Sequence, residues 1–349
     1  MGKVKKRRNP PPSALSATVL DCGGRGGVHR SWQNFPLHLT YYCFEPETLE
    51  ISTLTRRAPS MSNELLDYNV VGSALDAKNG RRILNVYESA DLSSFFELDA
   101  HATYRFKHVK LNKRVRVPCI TIDAFSKKCG VSCDFLSIDA QGATLLILKG
   151  AQRALKTGIF GIRCEVEFTA LYKNQPLFGD IAAYLAKRGF ALVRIETCGS
   201  GAFGISSDMN RFSVSPGDAL PTGADAIFVN AKLAARSLER KTPAALRALF
   251  RLVFFCMHNG CGYWGLEVLE RIRAAGLWQR LVTAVPSAAM ALLAEQVAVY
   301  LSIRRENVNA GLEPAAAFRS VFRAPMPRPS RDDGMLALAN TKLRKVYAV

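Results

Sequence analysis

The sequence predicts an α/β protein: a mostly parallel sheet with helices on both faces, followed by an all-helical appendage. Three observations carry this. Short runs of β-branched and aliphatic residues alternate with helical or loop segments from Ala17 to Asn230, the pattern of strands joined by crossovers. Several of these runs end in an acid, and one acid stands directly before a glycine-dense turn, which gathers polar groups at the carboxyl edge of a sheet. After Asn230 strand signals become few, and Ala, Leu and Arg recur at helical spacing as far as residue 324.

The first strand, 17–22, runs through Thr18-Val19-Leu20 into Asp21-Cys22 and then Gly23-Gly24-Arg25-Gly26-Gly27. The second, Thr40-Tyr41-Tyr42-Cys43-Phe44, ends in Glu45, 24 residues after Asp21. A glycine turn after one strand and an acid at the tip of the next suit an adenosine-type ligand. The bare backbone admits it and the acid takes its ribose hydroxyls. The dinucleotide pattern Gly-x-Gly-x-x-Gly fails in every register, whereas acid-x-Gly-x-x-x-Gly fits Asp21, Gly23 and Gly27. S-adenosylmethionine carries no pyrophosphate, so it needs no helix N-terminus aimed at phosphate. It needs close backbone approach and acids near its sulfonium.

Further strands are expected at 68–73 and, as shorter extended pieces, at 82–87 and 115–122. A buried strand from Cys133 to Ile138 ends in Asp139, and a helix follows through Leu145, Leu146, Leu148 and Leu155. A strand at 159–168, a helix around 181–188 and strands near 191–197 and 225–230 complete the domain, 17–230. Residues 231–324 read as three or four helices forming an accessory domain. Residues 1–16 read as a disordered, proline-rich basic arm and 325–349 as a flexible basic tail.

The net charge of +18 is unevenly placed. The arm holds five bases and no acids, and residues 231–349 hold 18 bases against eight acids. The central 17–230 is nearly neutral, with 24 bases and 21 acids. Basic flanks suit contact with an anionic polymer, nucleic acid or a membrane surface, or simply solvated faces. No apolar stretch reads as a membrane span. Pro10-Pro11-Pro12 stands where a signal peptide needs an apolar run, so secretion by that route is not expected. Nine cysteines without a Cys-x-x-Cys pair, several inside strands, point to reduced thiols and a cytoplasmic compartment.

Asp21, Glu45, Asp139 and Glu165 all fall at or near strand ends on one edge. Acids there complement a sulfonium, bind hydroxyls or serve as a general base. Asp139-Ala140-Gln141-Gly142-Ala143-Thr144 repeats the strand-acid-glycine logic, with capping of the following helix the lesser alternative for its acid. Cys256, His258 and Cys261 offer three zinc-type ligands with no fourth nearby, so no metal site is assigned. His29, His38, His101 and His108 have no identifiable partner, and Tyr172 and Trp32 read as packing residues or pocket walls.

At these motifs the chain resembles the FkbM-type methyltransferases, S-adenosylmethionine-dependent O-methyltransferases with the Rossmann-like class I fold. The resemblance runs from about Val19 to Val229 and includes Leu20 to Gly27 with Trp32 after it, and Phe44-Glu45-Pro46. It continues through Ser73-Ala74-Leu75-Asp76 and the pair Ser93-Ser94. Its sharpest blocks are Asp134 to Gly142 and Glu165 to Phe178. The resemblance implies that Gly23 and Gly27, with Gly24 between them, face the methionine part of the cofactor. Glu45 would take the ribose, Ser73, Ala74 and Leu75 would lie beside the adenine, and Asp21 and Asp139 would complete the cofactor set. Two positions depart from the family pattern: Ser137 stands where a lysine is common, and Thr144 where a second acid is usual.

Methyl transfer is an in-line displacement at carbon, so the protein mainly positions donor and acceptor. A hydroxyl acceptor benefits from a base, with Asp139 the first choice and Glu167 the second; strand alternation puts Glu165 and Glu167 on one face. The leading reading is methylation of a hydroxyl on a sugar, glycan or small molecule. An RNA ribose methyltransferase fits the basic flanks, and an inactive scaffold would fit the departures at Ser137 and Thr144. The oligomeric state is not legible.

Overall fold

The first strand, β1 (Ser16–Cys22), ends where three glycines take the left-handed backbone region: Gly23 at φ +98°, Gly26 at +84° and Gly27 at +108°. Only glycine adopts these angles without steric cost. They let the chain leave the sheet edge and return to β2 (His38–Phe44) through one short 3-10 turn, Arg30–Trp32, and no α-helix. The computed structural model describes residues 15–99, 109–201 and 220–304. The basic arm as far as residue 14, the stretch 305–349, His101 and His108 lie outside the described residues.

After β2 come α1 (Thr48–Met61) and β3 (Leu66–Val71), then β4 (Ala74–Leu75), β5 (Gly80–Tyr87) and β6 (Leu111–Ile120). Helix α2 (Ile122–Cys129) leads to β7 (Phe135–Ile138), α3 (Thr144–Lys149), α4 (Ala154–Thr157) and β8 (Gly161–Glu167). Helix α5 (Phe178–Ala186), β9 (Phe190–Gly201) and β10 (Leu220–Asn230) complete the sheet. Seven strands pair in the order β3-β2-β1-β7-β8-β10-β9, and β10 alone among them runs against its neighbours. This is the class I methyltransferase sheet expected from the sequence. Successive connections run to opposite sides of β1, so the switch point lies between β1 and β7, where ligands of such sheets gather. The pieces expected at 82–87 and 115–122 do not join it. They pair with β4 in a second sheet of order β4-β6-β5.

Strand alternation divides the core in two. Leu20, Tyr42, Leu136 and Phe228 face α2, α3, α4 and α5. Val19, Tyr41, Phe135 and Ile227 face the other way, toward α1 and the C-terminal helices. These are α6 (Ala231–Arg240), α7 (Pro243–His258), α8 (Gly262–Ala274), α9 (Trp278–Ala284) and α10 (Ser287–Arg304), five among the described residues where three or four were expected over 231–324. They stand apart in sequence but not in space. With no helix between β1 and β2, that side of the sheet would lie bare, and α7 covers it. Its Phe255 ring stacks on Phe135 at 4.7 Å, and Trp32 packs within 5.9 Å of both.

Polar contacts lock the same layer. Arg251 on α7 pairs with buried Asp134 at 2.8 Å, while the other oxygen of Asp134 accepts the Thr18 N–H at 2.9 Å. His258 Nε2 lies 2.7 Å from the Ser31 carbonyl, which fastens the end of α7 to the 3-10 turn. Asn230 caps α6 by accepting the Leu233 N–H at 3.0 Å, and its amide donates to Leu155 O and Ile159 O. Among the described residues no helix is long and apolar enough to cross a membrane, and the eight cysteines whose side chains are described are free thiols.

Because Phe255 is wholly buried between sheet and helix, Phe255→Ala should lower the unfolding free energy by about 3–5 kcal/mol. Chemical denaturation followed separately by Trp fluorescence and far-ultraviolet dichroism should show one transition shifted in both signals. A sheet transition left in place would mean that the helices fold as a separate unit.

Candidate active site

A cleft of about 230 Å³ opens at the switch point, beyond the carboxyl ends of β1, β2 and β7. Cys22, Gly23, Phe44, Glu45 and Asp139 line its floor, and Ala74 and Leu75 one wall. The second sheet and the segment after it close the far side with Leu84, Ser94 and Phe95.

Gly23 is required by packing as well as by φ. A Cβ there would stand 1.6 Å from the Asp139 carbonyl oxygen, because the ends of β1 and β7 are drawn together by the Asp139 N–H donating to Cys22 O at 2.8 Å. Gly24 and Gly27 do not line the cleft. A Cβ on Gly24 would strike Cys43 Sγ at 1.9 Å, and one on Gly27 would strike Met61 Cε at 2.5 Å. Both are glycine so that the turn can press on β2 and α1. Ser73 also turns away from the cleft, its hydroxyl donating to Pro118 O at 3.1 Å, while Ala74 beside it stays at the wall.

Glu45 follows β2 directly, buried to 5% exposure, with one oxygen accepting the Glu47 N–H at 2.8 Å. Burial pushes its carboxyl up to about 6, against the pull of that N–H and of Arg25. Arg25 lines the cleft and pairs with Glu47 at 2.9 Å, so it brings a cation to a site otherwise set with acids.

Asp21 lies under the cleft rather than in it, 2% exposed. In the strand register it sits between Cys43 of β2 and Ser137 of β7. The Ser137 and Tyr41 hydroxyls favour its charged form, but burial outweighs them and pushes the carboxyl up to about 7. The register partner of Ser137 on β8 is Arg163, which is turned to Asp225 at 2.6 Å and Glu196 at 2.8 Å. Replacing the family's lysine with serine thus leaves Asp21 beside hydroxyl groups.

A second group of acids adjoins Asp139. Glu165 is pushed well above the usual carboxylate range by burial and then by the charges of Asp139 and Glu167. Glu167, 3% exposed, is pushed up to about 7 by burial, against the pull of the Gln175 amide. Thr144, where the family has an acid, donates from Oγ1 to Glu165 O at 3.1 Å and so ties the first turn of α3 to β8. Glu167 lies outside the lining of the cleft.

Sequence reasoning did not weigh Gln141. Its Nε2 lies 3.3 Å from Asp139 Oδ1 and 3.1 Å from Glu165 Oε2, and its backbone sits at φ +45°. Tyr172 is fully buried, its hydroxyl 2.9 Å from Gln141 Oε1. Of the remaining candidates, His29 caps the 3-10 turn, its ring within 2.7 Å of Ser31 Oγ, and His38 lies 3.6 Å from Asp67. Trp32 is core, and the ring nitrogen of His258 is engaged by Ser31 O.

The acids carry a stability signature. Asp21, Glu45 and Glu167 have folded values raised above their unfolded ones, so the fold binds extra protons between about pH 4 and 7. Their stabilising contribution is present below the unfolded values and is lost as pH rises through the folded ones. The free protein should therefore be less stable at pH 8 than at pH 5. In Glu167→Gln that loss should shrink by roughly 1–3 kcal/mol, read from urea midpoints at both pH values. An undiminished loss in the variant would contradict a buried, titrating Glu167.

Residues 21–192 match the family described as Methyltransferase FkbM domain. No curated protein matches the chain. Among solved structures, one similar chain is the methyltransferase FkbM from Methylobacillus flagellatus KT, 14% identical over 65% of this chain, with a TM-score of 0.35. The match spans 46% of that protein, so this chain covers less than half of its length. A second is a TehB-like SAM-dependent methyltransferase from Corynebacterium glutamicum ATCC 13032 Kitasato, 12% identical over 63% of this chain and 82% of the other, with a TM-score of 0.28. The segment 21–192, which holds the glycine turn, Glu45, Asp139 and the acids of β8, is thus the part of the chain that matches the FkbM methyltransferase domain.

Proposed function

We propose that this protein is an S-adenosylmethionine-dependent O-methyltransferase acting on a hydroxyl of a sugar, glycan or small molecule. The observation that carries the reading is the cleft at the switch point, with Glu45 on one side and the glycine turn on the other. Its donor set fits the cofactor. Glu45 is a buried carboxylate with one oxygen committed to the Glu47 N–H, and it accepts ribose hydroxyls with its remaining capacity. Ala74, Leu75 and Phe95 give apolar walls for an adenine ring. Gly23 lines the cleft with its backbone, at the junction of β1 and β7.

When bound, the cofactor supplies an electrophilic methyl carbon on a sulfonium. Asp139 lies at the cleft and takes the acceptor's proton as that hydroxyl is alkylated. The cofactor held by Glu45 and the glycine turn would supply the methyl carbon, and Asp139 would hold the proton that the acceptor's hydroxyl gives up. Glu165 and Glu167, raised by burial, extend the acidic surroundings on the acceptor side. Free, mostly buried thiols support a reducing, cytoplasmic setting.

Calorimetry and turnover assays on two variants separate these roles. Glu45→Ala should weaken S-adenosylmethionine binding by about 10- to 100-fold. Asp139→Asn should bind the cofactor yet lose roughly 100-fold or more in turnover on a glycan or small-molecule hydroxyl acceptor. Wild-type affinity in Glu45→Ala would displace the cofactor from this cleft, and near-normal turnover in Asp139→Asn would remove Asp139 as base.

A further inference from the structure

One amide group reaches two carboxylates at the edge of the cleft. Gln141 Nε2 lies 3.3 Å from Asp139 Oδ1 and 3.1 Å from Glu165 Oε2, so its two N–H bonds have an acceptor each. The opposite end of the carboxamide is also held. Tyr172 Oη stands 2.9 Å from Gln141 Oε1 and 3.0 Å from Leu92 O, its single proton shared between them. The Gln141 backbone is fixed by Ser94 Oγ, which donates to its carbonyl at 2.6 Å. A reversed amide would turn its oxygen toward two carboxylates and lose both hydrogen bonds. The φ of +45° is unusual for a residue with a Cβ, and these contacts over-determine it.

We propose that Gln141 is a positioning residue whose carboxamide holds Asp139 and Glu165 together, so that the two carboxylates accept the acceptor's proton as a pair. The proposal rests on Asp139 being the base and adds how that base is oriented and what shares its charge. A donor aimed at both carboxylates favours negative charge on the pair. Burial, and then the nearby Asp139, hold Glu165 well above the usual carboxylate range. Other charged or titrating groups face the pair: Asp21 on β1, Glu167 on β8, Asp225 on β10, and His29 and Tyr172 from the loops. None of these bridges the two carboxylates as Gln141 does.

The test needs no acceptor. Full-length protein carrying carbon-13 in its Asp and Glu carboxyls is titrated by NMR, with Asp139→Asn and Glu165→Gln assigning the two signals. In the wild type the two groups should titrate in linked steps. Gln141→Met removes both donors and should raise the lower step by about one unit or more. Tyr172→Phe leaves Gln141 in place but frees its oxygen, and should move the same step in the same direction by about half as much. Titrations in both variants that match the wild type would overturn the clamp, whatever turnover Asp139→Asn shows. Loss of the base role in Asp139→Asn assays would leave the titration result standing, so the two readings fail separately.

Discussion

The closest approach in the protein's functional edge is backbone on backbone: Gly23 against the carbonyl of Asp139. The hydrogen bond from Asp139 N to Cys22 O draws β7 onto β1, and only a residue without a Cβ fits between them. Much else at the site follows from this contact. It brings Asp139 to the mouth of the cleft, it forces the chain after Cys22 into left-handed turns, and it leaves Glu45 on the neighbouring strand within the same opening. Because the turn spends its residues on glycines rather than on a helix, one face of the sheet is left for α7 and its neighbours to cover. The local demand of the site and the placement of the C-terminal layer are thus physically linked.

The acids impose the second constraint. Asp21, Glu45, Glu165 and Glu167 are all held above their ordinary range by burial. An isolated domain does not gain from that arrangement, since each buried carboxyl resists ionisation. Buried cation pairs elsewhere, Arg163 with Asp225 and Arg251 with Asp134, hold the strands under the site without reaching into the cleft.

The strands of this fold were readable because buried parallel strands are short apolar runs, and their ends are marked by Asp21, Glu45 and Asp139. Two helices were not. Helix α1 is rich in Thr and Ser and buries only Leu54 completely, and α2 is only eight residues long. Helix α7 is apolar nearly all round, from Ala245 to His258. Periodicity shows that such a helix is buried, not what it is buried against. At the site, Glu45 and Asp139 were legible from spacing along single strands. Gln141 was not, because its role depends on Tyr172, 31 residues later, and on Ser94 from a different loop. Gly24 and Gly27 show the opposite limit: a glycine motif records close approach, and here the approaching groups are Cys43 and Met61.

The most direct test of the central claim is a crystal structure of the full chain grown with S-adenosylhomocysteine. Ribose hydroxyls bound to the Glu45 carboxylate, with the sulfur beside Gly23 and Asp139, are the predicted result. Ligand density elsewhere, or a cleft that closes on its own side chains while the ligand binds at another edge, would contradict it.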